Sequence, residues 1–237
     1  MIDQFTVIRS EVDADTVQID PFVFIGENVK LGKRVRIHSH VTIDEGAVIG
    51  DDVEIFPGAY IGKPPKGPAL GSHTTYQKEL SIGNGCVIGP NVTVYYGVHI
   101  GERTLLGDGV SIRENVEIGN LCIIGRNSVV NYGAKIEDEV KVMELAEITA
   151  RTVIRKRAFV STGVVTADDN RFGKATAENA TPVGGQEIGE NANVGLGALL
   201  LPNVKIGKNA VVGAGSVVTR DVEDGALVMG IPARERK

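Results

Sequence analysis

Tyr95, Arg113, Asn131 and Thr149 follow one another at intervals of 18 residues, and each is trailed by further polar or aromatic side chains. The segments read Tyr95-Tyr96-Gly97-Val98-His99, Arg113-Glu114-Asn115, Asn131-Tyr132-Gly133 and Thr149-Ala150-Arg151. Polar and aromatic side chains gathered on one strip are the usual lining of a ligand site. A carboxylate among them can take a proton from an attacking nucleophile, so Glu114 is the first candidate general base and His99 the next. His99 also reads as an ordinary surface histidine, since it follows the inward Val98.

An interval of 18 matters only if the backbone brings such residues together, and the hydrophobic pattern says that it does. Aliphatic residues recur every sixth position in three runs, from Ile19 to Ile61, from Ile82 to Val160 and from Ile188 to Val218. A small or β-branched residue usually precedes each by two, as at Val35, Cys86, Val116 and Ala210, so positions i−2 and i point the same way. Gly often follows directly, with Asn or Gly two residues on, types that accept left-handed backbone and mark corners. A six-residue unit of this kind is a short strand plus a turn that must stack on its neighbours in parallel. Three units make one triangular coil, each coil rises about 4.8 Å, and the runs make about nine coils. Each buried Ile or Leu in the shared core contributes about 1.5–3 kcal/mol.

The runs break twice. From Ile61 to Ile82 is 21 residues where 6 would continue the coil. With the excess removed, the face of Ile61 continues as Val94, Ile112, Val130, Ile148 and Thr166, and the second break begins at Thr166. The insertions, roughly residues 63–79 and 167–186, therefore leave the same edge about five coils, or some 24 Å, apart. Between them that edge carries Tyr95, Arg113, Asn131 and Thr149 where Gly stands elsewhere. Two overhanging loops around a polar and aromatic strip form a ligand groove. A solvated edge with tolerated insertions is the plainer alternative. His73 and Tyr76 lie in the first insertion, placed to reach a neighbouring subunit.

Residues 1–237 read as one domain with a tail over 219–237. With 30 Gly, no Trp and few aromatics, many short strands joined by corners are expected and helices should be scarce. The net charge of −5 gives no electrostatic reason to expect nucleic acid or an anionic membrane as partner. The N-terminus lacks a basic start followed by an apolar run, and no stretch is apolar for membrane-spanning length, so the expected location is the cytoplasm. Cys86 and Cys122 fall at inward positions and read as core thiols, and four scattered His suggest no metal site.

The aliphatic-Gly-x-(Asn/Gly)-(small)-x pattern over residues 19 to 218, with its ending Gly213-Ala-Gly-Ser-Val-Val-Thr-Arg-Asp-Val222 and Gly230-Ile-Pro-Ala-Arg234, resembles the hexapeptide-repeat acyltransferase superfamily. The resemblance implies a left-handed parallel β-helix, a homotrimer with sites between adjacent prisms, and an acyl-CoA co-substrate. It implies that Gly195, Gly197 and Ala214 run along the pantetheine arm and thioester, and Arg220 and Arg234 are available for the CoA phosphates. The segment Thr166-Ala-Asp168-Asp169-Asn170-Arg171 looks like the loop of nucleotide-linked amino-sugar N-acetyltransferases, which makes Asp168 and Asn131 anchors for sugar hydroxyls or the amine and Arg171 a phosphate ligand. Glu114 stands where sugar O-acyltransferases of lipid A synthesis carry a catalytic His, a departure that counts against that role. The leading expectation is N-acyl transfer, in particular acetyl transfer, to a nucleotide-linked amino sugar, with or without a protein base. Acylation of tetrahydrodipicolinate or a sugar hydroxyl, γ-type carbonic anhydrase and a non-catalytic scaffold are the alternatives.

Overall fold

The computed structural model describes residues 5–13, 15–66, 76, 78–169 and 184–236. Over these the chain is a left-handed parallel β-helix made of strands two to four residues long, with no helix among the described residues and so none able to cross a membrane. Three flat faces result. The first has eleven strands, from Val7–Ile8 to Val217–Val218. The second has nine, from Lys30–Leu31 to Lys205–Ile206, and the third twelve, from Gln18–Ile19 to Arg234–Glu235. The prism thus has about eleven coils instead of nine. The additional levels are at the ends, where Val7–Ile8 pairs with Phe24–Ile25 and Leu227–Met229 pairs with Val211–Val212 outside the six-residue spacing.

Register through the body follows the 18-residue period, so that Thr93, Ser111, Val129, Glu147 and Val165 stand one above the next. The inward residues of all coils form one core, and Ile25, Ile43, Ile61, Val94, Ile112, Val130 and Ile148 along the first face are fully buried. Cys86 and Cys122 belong to this core. Cys86 donates to the Gly101 carbonyl at 2.9 Å, and burial pushes both thiols up, Cys122 to about 11. Stacking at this pitch also dictates glycine: a Cβ at Gly101 would lie 2.6 Å from the Gly119 carbonyl carbon of the next coil.

Both insertions leave the edge between the first and second faces, as the spacing predicts, and both are tied where they depart. At the first, the Tyr96 N–H donates to the Lys63 carbonyl at 3.2 Å and the Gly97 N–H to Glu79 at 2.9 Å, so exit and return are held by adjacent amides. At the second, Thr166 occupies an inward position and donates to Thr149 Oγ1 at 3.0 Å. Gln186 accepts from Thr149 and Thr152 at 3.0 and 3.1 Å through Oε1, and donates from Nε2 to the Ala167 and Leu201 carbonyls at 2.6 and 3.0 Å. This clasp is buried, so losing it leaves several groups unsatisfied at about 1–3 kcal/mol. Gln186→Leu is expected to lower stability by about that amount, read as a fall in melting temperature, whereas Val165→Thr on the outside of the neighbouring strand should leave it unchanged.

Candidate functional site

The strip between the insertions is a ladder. Tyr95, Arg113, Asn131 and Thr149 each begin the corner directly after an inward aliphatic residue, and the next corner amide of every coil donates to the coil before it: Asn115 to Tyr96, Gly133 to Glu114 and Arg151 to Tyr132, at 3.4, 3.0 and 3.0 Å. Their vertical order is therefore set by backbone, and the side chains inherit it.

At the lower end Tyr95 is half-buried with a cation on either side. Lys63 Nζ and the Arg113 guanidinium each lie 5.0 Å from its ring centroid, in cation–π range. Lys63 is brought there by the bulge at Gly62, whose φ of +90° is a glycine conformation. Tyr96 packs over that glycine, donates to the Glu45 carbonyl at 3.3 Å and stacks on Tyr76 at 5.8 Å. Burial holds the Tyr96 hydroxyl well above its ordinary range, so it acts as a hydrogen-bonding group and not as an anion.

One coil up, Arg113 Nε and Nη2 donate to the two carboxylate oxygens of Glu114 at 2.8 and 3.0 Å. The Glu114 side chain is 2% exposed and that of Arg113 33%, so a buried carboxylate aims a partly exposed cation into the strip. That hydrogen bond raises the guanidinium above its usual range. Higher still, Asn131 Nδ2 donates to Glu147 Oε1 at 2.6 Å, and Arg151 lies over the Tyr132 ring at 5.8 Å. Asp168, half-buried at the exit of the second insertion, is close enough to Glu147 to raise its carboxyl pKa.

The predicted residues divide by place. Tyr95, Tyr96, Arg113, Glu114, Asn131, Tyr132 and Arg151 share the edge, with Tyr76 at one end and Asp168 at the other. His99 sits round the corner on the second face, exposed, with Nδ1 held by Ser81 Oγ at 2.9 Å, at one end of an open groove of about 600 Å³ lined also by Lys135 and Arg155. Gly195, Gly197 and Ala214 are on a different edge, between the third and first faces. There a Cβ at Gly195 would lie 2.6 Å from the Ala214 nitrogen, which gives that glycine a packing reason. Arg220 and Arg234 are exposed beyond them. His73 and Arg171 lie outside the described residues. No group of three or more His, Cys, Asp or Glu able to hold a metal occurs among the described residues. Sequence reasoning missed Lys63, which reaches the strip only through the bulge, and Glu147, which precedes an inward Ile and looks like any outward strand residue.

Known proteins resemble this chain as follows. The model of the bacterial transferase hexapeptide (six repeats) matches residues 80–113, 97–132 and 187–220, within the part of the chain where the six-residue period runs. The acyl-[acyl-carrier-protein]–UDP-N-acetylglucosamine O-acyltransferase of Thermodesulfovibrio yellowstonii is 41% identical over 58 residues, 24% of this chain and 22% of that protein. The chain spans about a fifth of the length of the curated relatives it matches. The crystal structure of LpxA, a UDP-N-acetylglucosamine acyltransferase from Bacteroides fragilis, aligns over all of this chain and 74% of its own with TM-score 0.53 at 20% identity. PerB from Caulobacter crescentus, crystallised with CoA and GDP-perosamine, aligns over 68% of this chain and 60% of its own with TM-score 0.40 at 28% identity.

The Arg113–Glu114 pair is asymmetric, which can be measured. Arg113→Met strands the buried carboxylate and is expected to cost about 3–5 kcal/mol. Adding Glu114→Gln should recover most of that loss, as judged by urea midpoints at neutral pH.

Proposed function

We propose that this chain is an acyl-CoA-dependent N-acyltransferase, in particular an acetyltransferase, whose acceptor is an amino sugar carried by a nucleotide. The observation that carries the reading is the ladder of cations and phenol rings between two insertions, on a prism built from the transferase hexapeptide repeat. Lys63, Arg113 and Arg151 suit a diphosphate, and Tyr95, Tyr96, Tyr132 and Tyr76 suit the rings on either side of it. Asn131 and Asp168 are the polar groups for the sugar, and Arg171, outside the described residues, is kept as a phosphate ligand together with His73 as a further candidate contact.

Acyl transfer needs donors for a developing oxyanion and control of protons. Backbone N–H groups of the Gly-rich coils can supply the first, while Glu114 holds the Arg113 guanidinium toward the diphosphate. His99, anchored through one ring nitrogen by Ser81, can hand a proton to the departing thiolate. The Gly-rich coils at Gly195, Gly197 and Ala214 accept the pantetheine arm, with Arg220 and Arg234 for the CoA phosphates. Because those coils lie on another edge from the strip, a donor lying along them reaches the acceptor only if a second prism stands alongside. This favours a homotrimer with its sites between subunits. Exposed Leu105, Val211 and Leu227 on the third face provide apolar surface for such packing.

A second reading is O-acylation of a UDP-sugar from an acyl carrier protein, favoured by the 58-residue match to a protein of that name. Thiol release from acetyl-CoA across a panel of nucleotide-linked amino sugars and their hydroxyl analogues separates the two. Release with an amino sugar is expected, and silence across the panel sinks the first reading. With a productive acceptor, Glu114→Gln, by loosening Arg113, and His99→Asn, by removing the proton donor to the thiolate, should each lower turnover by at least about tenfold. Light scattering should give three times the chain mass, and a monomer would remove the intersubunit site.

A further inference from the structure

Glu147 is a carboxylate that the fold leaves without a counter-charge. It stands on the outside of the first face between Val129 and Val165 of the adjoining coils. Of the segments packed on either side, one offers the Asn131 amide at 2.6 Å and the other ends in a second carboxylate, Asp168. No Lys or Arg pairs with it among the described residues, whereas Glu114, Glu117, Glu137, Glu187 and Glu190 each have a basic partner. A half-buried, unpaired carboxylate costs stability unless a cation or a proton arrives.

We propose that Glu147 is the residue that receives the ammonium group of the acceptor and takes its proton, making the protein selective for amines over hydroxyls. The inference rests on the acyl-transfer reading above. In the step proposed, R–NH3+ gives one proton to the Glu147 carboxylate. The freed nitrogen lone pair then forms the C–N bond at the thioester carbonyl carbon, the C–S bond breaks with its electron pair leaving on sulfur, and the second nitrogen proton reaches that thiolate through His99. The products are the amide and the free thiol, and Glu147 releases its proton to solvent. Asn131 orients the carboxylate through one oxygen and leaves the other for the ligand.

Burial between the two valines raises the Glu147 carboxyl above the usual carboxylate range, Asp168 raises it further, and the Asn131 hydrogen bond opposes the shift. A higher pKa makes the carboxylate a stronger base. The sign follows: activity depending on the ionised form is full above that pKa and is lost as pH falls through it. The acidic limb therefore belongs above the range of an exposed glutamate.

The test uses the full chain with acetyl-CoA and the amino-sugar nucleotide that supports thiol release. Glu147→Gln is expected to lower kcat/KM for the amine at least tenfold at neutral pH, to abolish the acidic limb and to give a melting temperature at or above that of the wild type, with Glu147→Asp restoring part of the rate. A variant with an unchanged pH profile and rate on an active amine overturns the role of Glu147 while leaving acyl transfer intact. If the wild type acts only on hydroxyl acceptors, or on none, the underlying N-acyl reading falls and the inference with it.

Discussion

Everything in this molecule depends on one distance, the rise of about 4.8 Å that hydrogen bonds impose between parallel strands. Each coil is tied to the next by backbone amides on all three faces, so a residue is held above the one 18 positions earlier to within the tolerance of a hydrogen bond. Side chains become columns. A column of Ile and Val makes the core, and a column of Gly lets corners stack where a Cβ would strike backbone. A column in which Gly gives way to Tyr, Arg and Asn projects polar groups at a fixed pitch. The strip is thus as rigid as the core beneath it, which preorganises a site on short strands and corners alone among the described residues.

That rigidity explains what could be seen in the sequence. The aliphatic period survives in nearly every coil because each inward position meets the same environment, and once the period was in register the shared edge of the two insertions followed from counting. The end coils were missed because they need only one covered side: Val7–Ile8 and Leu227–Met229 pair with the prism by backbone while their side chains depart from the repeat. The site was visible where residue type broke a column, as at Tyr95, Arg113 and Asn131. Glu147 was not, because polar residues are ordinary at outward strand positions and its character comes from Val129, Val165 and Asp168 in other coils. Lys63 was hidden for a similar reason, since its place depends on a one-residue bulge.

The arrangement of charge along the edge also follows from stacking. Identical charges 18 residues apart would face each other across about 5 Å, so the column alternates cation, ring and amide instead of repeating one type. Tyr95 separates Lys63 from Arg113, and Tyr132 lies between Arg113 and Arg151 in sequence order. Placing Glu114 on the buried side neutralises Arg113 from behind without shielding its outward face. The strip keeps its attraction for an anion at little cost in repulsion between its own cations.

The upper end obeys a different economy. There the second insertion departs, and the buried hydroxyls and amide of Thr149, Thr152, Thr166 and Gln186 replace aliphatic packing with a satisfied polar network. Such a network is directional where an aliphatic contact is not, so it fixes the angle at which residue 167 leaves the prism and hence the position of Asp168. Two carboxylates brought together in this way, one of them set between valines, raise the energy of the empty site. A chain selected for stability alone would place a lysine on Val129 or Val165, as the second face does with Glu117 and Lys135. The missing lysine is therefore information: the edge forgoes an available ion pair where the ligand's own cation can supply it, and spends stability on selectivity.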